Sequence, residues 1–169
     1  FLDTQGLRLA GRASGRHLTR WTLGAFARST GEGALTAVMP GGTSAMGRDL
    51  PDDAEAAARL RAAIEGPFSP HTALGPVPIA GEVAYAFTGD TITFAPSRFA
   101  TAETFVAFDG QTDWGQASRL PFHVTSRDWQ ESHRFLAAIM TMVAAPTSSV
   151  PLDGIGEFDG VMLGDLGNP

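Results

Sequence analysis

Asp109, Asp113 and His123 are the residues of this sequence best placed to do chemistry. Each falls in a stretch of alternating apolar and polar residues, and simple strand pairing would put all three on one face. Asp128 and His133 follow close behind. Carboxylates and an imidazole converging in this way could seat a divalent metal or act as general acid and base. A plainer reading competes with this one, because the outer face of a half-buried sheet is normally polar. His17 and His71 stand in loop-like settings with no partner at ligand spacing. The sequence contains no His-Glu-x-x-His, Gly-x-Ser-x-Gly or Gly-x-Gly-x-x-Gly. Pro40-Gly41-Gly42 is not followed by Gly-Lys-Ser/Thr, and zero cysteines exclude thiolate metal sites. The expectation is a non-enzyme, with no catalytic residue, no metal and no cofactor.

The second candidate is apolar. Val83, Tyr85 and Phe87 alternate with small residues, and Ile92 and Phe94 follow the Gly89-Asp90 break. Val106, Phe108 and Trp114 share one parity, as do Phe122 and Val124. Phe158 belongs to a further strand after Gly154. A period of two sends these side chains to one face of a sheet. That face is either the inner side of a sandwich or the wall of an apolar groove, since both require the same pattern. Few other segments have the bulk to build an opposing sheet.

The remaining segments frame this one. Leu7 to Arg16 reads as a strand with arginines 8, 12 and 16 on one side, most simply a solvated face. Trp21–Ala27 and Ala34–Met39 read as two strands joined by a hairpin loop at Ser29–Gly33. Asp52–Glu65 reads as a helix capped by Asp52 and ended by Gly66-Pro67. Asp128 to about Val143 is the stronger helix, with Asp128 and Glu131 at capping-box spacing. Leu136, Ile139, Met140 and Val143 recur along it at helical spacing.

The division expected over residues 1–169 is N-terminal strands in 1–50, a helical and Pro-rich excursion in 51–80 and central strands in 81–127. An amphipathic helix over 128–145 and the start of further strands over 150–169 complete it. The 12 basic and 18 acidic residues leave a net charge of −6, with no dense basic cluster, so no nucleic-acid partner is expected. The chain begins at Phe1 with no secretory signal pattern, and its best apolar run, 135–145, is too short to cross a bilayer. It is expected to be a single internal segment of a longer protein.

Three blocks carry a family resemblance. They are Phe105-Val106-Ala107-Phe108-Asp109-Gly110-Gln111-Thr112-Asp113-Trp114-Gly115, the run from Arg119 through Pro121-Phe122-His123 to Ser132, and Gly154 to Met162 with its continuation to Pro169. From about Pro76 onward the chain resembles the translocation and assembly module proteins of the TamB/AsmA-like superfamily of diderm bacteria. That resemblance implies a mainly β fold: a curved, twisted, taco-like sheet with an apolar groove, here joined by two short helices. It also implies transport of phospholipid between inner and outer membranes and a part in outer-membrane assembly. The implied protein is periplasmic and anchored to the inner membrane by a segment outside this chain. Its implied partners are phospholipid acyl chains and, for the full-length protein, an outer-membrane β-barrel. The groove residues expected on this basis are Val83, Tyr85, Phe87, Ile92, Phe94, Val106, Phe108, Trp114, Phe122, Val124 and Phe158. The alternative is a self-contained β-sandwich serving as a binding or interaction module.

Overall fold

A computed structural model describes residues 9–49, 76–113, 117–129, 131–133, 135 and 154–165. The protein is mainly β. Strands β2 (Arg12–Arg20), β3 (Thr30–Val38), β5 (Ala80–Thr88), β6 (Thr91–Ala100), β7 (Thr104–Asp113), β8 (Ser118–Ser126) and β9 (Gly156–Gly164) form one open seven-stranded sheet. Every neighbouring pair is antiparallel and the strands lie in chain order. Short strands β1 (Leu9–Ala10) and β4 (Val77–Pro78) pair in parallel beside it. Among the described residues no helix is long and apolar enough to cross a membrane.

Register assigns the faces. Tyr85 lies opposite Phe94 and Phe87 opposite Ile92. Phe108 lies opposite Phe122, and Val106 opposite Val124. The apolar parity of each strand therefore falls on the same side, as alternation requires.

Two irregularities bend this sheet. In β6 the pairing slips by one residue between Phe94 and Ser97, which places Pro96 in a bulge. A proline inside a central strand is tolerated at such a point because it has no N–H to give the ladder. The Ser97 hydroxyl mends the gap, accepting from the Ala84 N–H at 3.3 Å and donating to the Ala95 carbonyl at 2.7 Å. Next to the bulge, Gly110 has φ of 113°, a left-handed value that favours glycine. A Cβ there would overlap the Arg119 carbonyl and sit 3.1 Å from Pro121 Cδ, so the second in-strand proline is accommodated by its glycine neighbour. Bulges and glycine kinks curve a sheet. These lie side by side on β6, β7 and β8 and form a crease running across the strands.

The bulge also has a consequence for the faces. It reverses the parity of β6, so that Phe99, on the polar parity before the slip, joins the apolar side opposite Gly81 and Val106. One end of the sheet is covered on both faces. On the apolar face Trp129 and Phe135, from a helical turn, pack with Ile79 on Val106, Val124, Phe99 and Phe122. On the opposite face Met46 packs on Ala100, Phe105 and Ala107.

Two expectations change here. Trp21–Ala27 is not a strand: β2 ends at Arg20, and a 3₁₀ turn occupies Phe26–Arg28. Gly31 and Gly33 belong to β3 rather than to a hairpin loop. The expected helix at Asp52–Glu65 lies outside the described residues, as do His71, Trp114 and the later part of the 128–143 helix. The start of that second helix is helical at Trp129, Glu131–His133 and Phe135. Asp128 Oδ1 accepts from the Glu131 N–H at 3.3 Å and the Asp128 carbonyl accepts from the Ser132 N–H at 3.0 Å, which is an N-cap. Asp128→Ala is expected to cost about 1 kcal/mol, read as a lower urea midpoint.

Candidate functional site

The site is built on rows of residues that cross the strands. One row runs from His17 through Gly33 and Tyr85 to Phe94 and Gly110, and then through Leu120 to Met162. The adjacent row runs from Gly15 through Leu35 to Val83, then Ser97, Phe108, Phe122 and Gly160. Together they make a largely apolar floor that crosses the sheet from β2 to β9, parallel to the crease.

Glycines set the depth of this floor. Gly31 lies opposite Phe87, Gly33 opposite Tyr85, Gly81 opposite Phe99, Gly110 opposite Phe94 and Gly160 opposite Phe122. A Cβ on Gly31 would overlap the Phe87 ring, and one on Gly33 the Tyr85 ring. On Gly81 it would come within 2.7 Å of the Phe99 ring, and on Gly160 within 2.5 Å of the Phe122 ring. The rings therefore lie down over neighbouring backbone instead of standing up from the sheet. The tiling continues ring to ring: Phe94 meets Phe108 edge-on at 5.5 Å, Phe99 stacks on Phe108 at 5.6 Å, and Phe122 meets Phe158 edge-on at 5.3 Å.

Above β2, β5 and β6 the floor opens into a cavity of about 590 Å³. Tyr85, Phe87, Ile92 and Phe94 form its base, and Phe26 and Ala27 of the 3₁₀ turn form a rim. His17 and Thr19 supply a polar wall. The His17 ring stacks on Phe87 at 5.8 Å, its Nδ1 lies 2.9 Å from the Tyr85 hydroxyl, and its Nε2 lies 2.6 Å from Thr19 Oγ1. His17, expected in a loop-like setting with no partner at ligand spacing, instead lies within β2 and has two hydrogen-bond partners, Tyr85 being brought to it by strand register.

The expected groove residues divide into groups. Tyr85, Phe87, Ile92 and Phe94 line the cavity. Val83, Phe108 and Phe122 are half-buried on the same floor, and Phe158 is 43% exposed at the β9 edge. Val106 and Val124 are corrected: 6% and 0% exposed beneath Trp129 and Phe135, they belong to a closed core and offer no surface to a ligand. Sequence reasoning missed Phe99, hidden by the bulge, and His17, Thr19 and Phe26. Pro96 was the available signal for the bulge.

The titratable candidates separate. Asp109, Asp113 and His123 share the opposite face, as pairing predicted, but the partner of His123 is Asp159, from its neighbour strand β9. His123 Nδ1 lies 2.9 Å from Asp159 Oδ1, and Nε2 lies 2.9 Å from Thr125 Oγ1. The order Asp–His–Thr resembles a hydrolase triad. Here, however, the hydroxyl is fully buried and donates to the Arg48 carbonyl, so no nucleophile is presented to a substrate. The line ties the 43–49 segment to the sheet. His123→Ala is expected to cost about 1 kcal/mol through loss of these two hydrogen bonds, since Asp159 stays solvated and Thr125 keeps its bond to Arg48, measured by chemical denaturation. Among the described residues no group of three or more His, Cys, Asp or Glu could hold a metal ion.

The helical turn at the covered end is fixed by hydroxyls. Ser132 Oγ donates to Ser126 Oγ at 2.6 Å and lies 2.6 Å from Thr104 Oγ1, all three residues being fully buried. Thr101 Oγ1 donates to Glu131 Oε1 at 2.5 Å. The cover is thus held on the sheet by directional bonds as well as by apolar contact. No protein family, curated protein or solved structure matches this chain.

Proposed function

We propose that this chain is a non-catalytic segment of a TamB/AsmA-like groove that carries phospholipid acyl chains between the inner and outer membranes. In this proposal it acts in the periplasm, within a protein anchored to the inner membrane and working with an outer-membrane β-barrel. The observation that carries the reading is the aromatic floor crossing an open sheet, with a cavity of about 590 Å³ above it. Pockets of roughly 300–1,000 Å³ hold ligands of tens of atoms. Burial of acyl methylenes gives affinity in proportion to apolar area, about 25 cal/mol per Å², and does not depend on the headgroup. A conduit works best with such contacts, because a specific headgroup bond would hold the lipid in place.

The deciding experiment is to purify the protein from a diderm host, extract it with organic solvent and identify co-purified lipid by mass spectrometry. Phospholipid at near-stoichiometric yield is expected. Its absence, together with failure to take up a fluorescent phospholipid from vesicles, would remove the proposal. A hydrolytic activity abolished by Asp109→Ala, His123→Ala or Asp128→Ala would overturn its non-catalytic part.

One observation favours the alternative, a self-contained binding module. Val106, Val124 and Phe135 form a closed core of their own on the apolar face. That module would fold and melt cooperatively while carrying no lipid.

A further inference from the structure

The connection between β2 and β3 carries three large apolar side chains that stand in solvent. Leu23 is 95% exposed, Phe26 68% and Trp21 57%. Gly24, beside Leu23, has φ of 78°, and a Cβ built on it would meet no atom within 4 Å. The loop closes on its own backbone. The Ala25 N–H donates to the Thr22 carbonyl at 2.9 Å, the Arg28 N–H to the Ala25 carbonyl at 3.0 Å and the Ser29 N–H to the Phe26 carbonyl at 2.8 Å. The Trp21 ring meets Phe26 edge-on at 6.1 Å. The Gly89 N–H donates to the Ser29 carbonyl at 2.8 Å and so ties the loop to the turn between β5 and β6.

Charge is segregated around this loop. Arg20 and Arg28 bracket it, and Arg12 and Arg16 lie on the same parity of β2 as Arg20, all four exposed. Residues 10–31 contain no aspartate or glutamate, in a chain of net charge −6. Asp90 lines the cavity whose rim Phe26 and Ala27 form, which leaves the β2 side of the loop as the basic one.

We propose that the 20–28 loop is a membrane-surface contact. It would seat Trp21, Leu23 and Phe26 at the boundary between the headgroups and acyl chains of an anionic phospholipid bilayer. An exposed apolar patch of this kind marks a contact surface. Its chemistry matches that boundary: tryptophan has an apolar body with one polar N–H and concentrates there. Arginines at the margin lay their stems along the apolar side and reach the phosphates with their heads. Backbone entering an apolar layer must satisfy its own polar groups, and three N–H groups of this segment already do so within it. Because Phe26 and Ala27 form the cavity rim, the contact would also set the cavity against the bilayer. It rests on the exposure and charge of the loop, and stands whether or not the cavity takes acyl chains.

Flotation of the full chain with vesicles tests this. Vesicles of phosphatidylcholine mixed with phosphatidylglycerol should carry the protein up the gradient. Pure phosphatidylcholine vesicles should bind it about tenfold more weakly or worse, and salt should weaken the mixed-vesicle binding. Leu23→Asp should lower affinity about tenfold or more, and so should Arg20→Glu with Arg28→Glu. Each variant is first checked for its β circular dichroism spectrum, and Leu23→Asp, at the most exposed of these side chains, decides the matter if the arginine pair does not fold. Tryptophan emission should shift to the blue on binding, and Trp21→Phe should remove most of that shift. A wild-type protein that does not float, equal binding to both vesicles, or binding indifferent to these changes would overturn the proposal. So would self-association without vesicles that Leu23→Asp abolishes, which would assign the loop to a protein contact. Uptake of a fluorescent phospholipid by a protein that never floats would remove this contact and leave the groove reading intact.

Discussion

Truncating Phe135 to alanine is expected to destabilise the protein by about 3–5 kcal/mol. The ring is 1% exposed and packs on Val106 and Val124, which are themselves buried. It is also the large apolar group through which the helical turn closes this end of the sheet. Removing it forfeits the transfer energy of the ring and leaves a void, which the hydroxyl bonds at Ser132 hold open by resisting collapse of the turn. Such a loss is a large fraction of the roughly 5–15 kcal/mol that holds a domain together. A urea titration followed by tryptophan fluorescence reads it directly, since Trp129 lies in the same cluster. A change below about 1 kcal/mol, within the range of ordinary surface substitutions, would mean that the turn does not cover the sheet as described.

Phe94→Asp and Val124→Asp should have opposite consequences, although both put a carboxylate on the apolar face. Phe94 is half-buried at the base of the cavity, opposite Gly110, where a charge can meet water while the cavity is empty. The sheet should therefore survive the change. Lipid uptake should fall, because a chain entering the cavity would have to desolvate the carboxylate. Losing one aromatic contact alone is worth about 1.5–3 kcal/mol, or roughly ten- to a hundredfold in affinity. Val124 is 0% exposed beneath Phe135, so an aspartate there has no route to water and should unfold the domain. Thermal melts beside uptake of a fluorescent phospholipid separate the two effects. Normal uptake by a folded Phe94→Asp protein would remove the cavity from the proposed path. A folded Val124→Asp protein would show that this end of the face is open.

Much of this was legible in the sequence because alternation is local. Tyr85, Phe87, Ile92, Phe94, Phe108 and Phe122 announce their shared face through a period of two, which needs only the pleat of each strand. Asp128 announces its helix start through a hydrogen bond spanning three residues. Register, by contrast, is a property of two strands. Gly31 and Gly33 look like turn residues until pairing sets them under Phe87 and Tyr85. The slip at Pro96 moves Phe99 to the apolar face, a result that depends on how β6 meets β5 and β7. His17 finds Tyr85, and His123 finds Asp159, across sequence separations of 68 and 36 residues. Open floor and closed core also read alike along the chain, since both require apolar residues at alternate positions. The turn carrying Trp129 and Phe135 docks over Val106 and Val124 and leaves Phe94 uncovered, so the sequence determined which residues are apolar and share a face, and tertiary packing alone decided which of them water can reach.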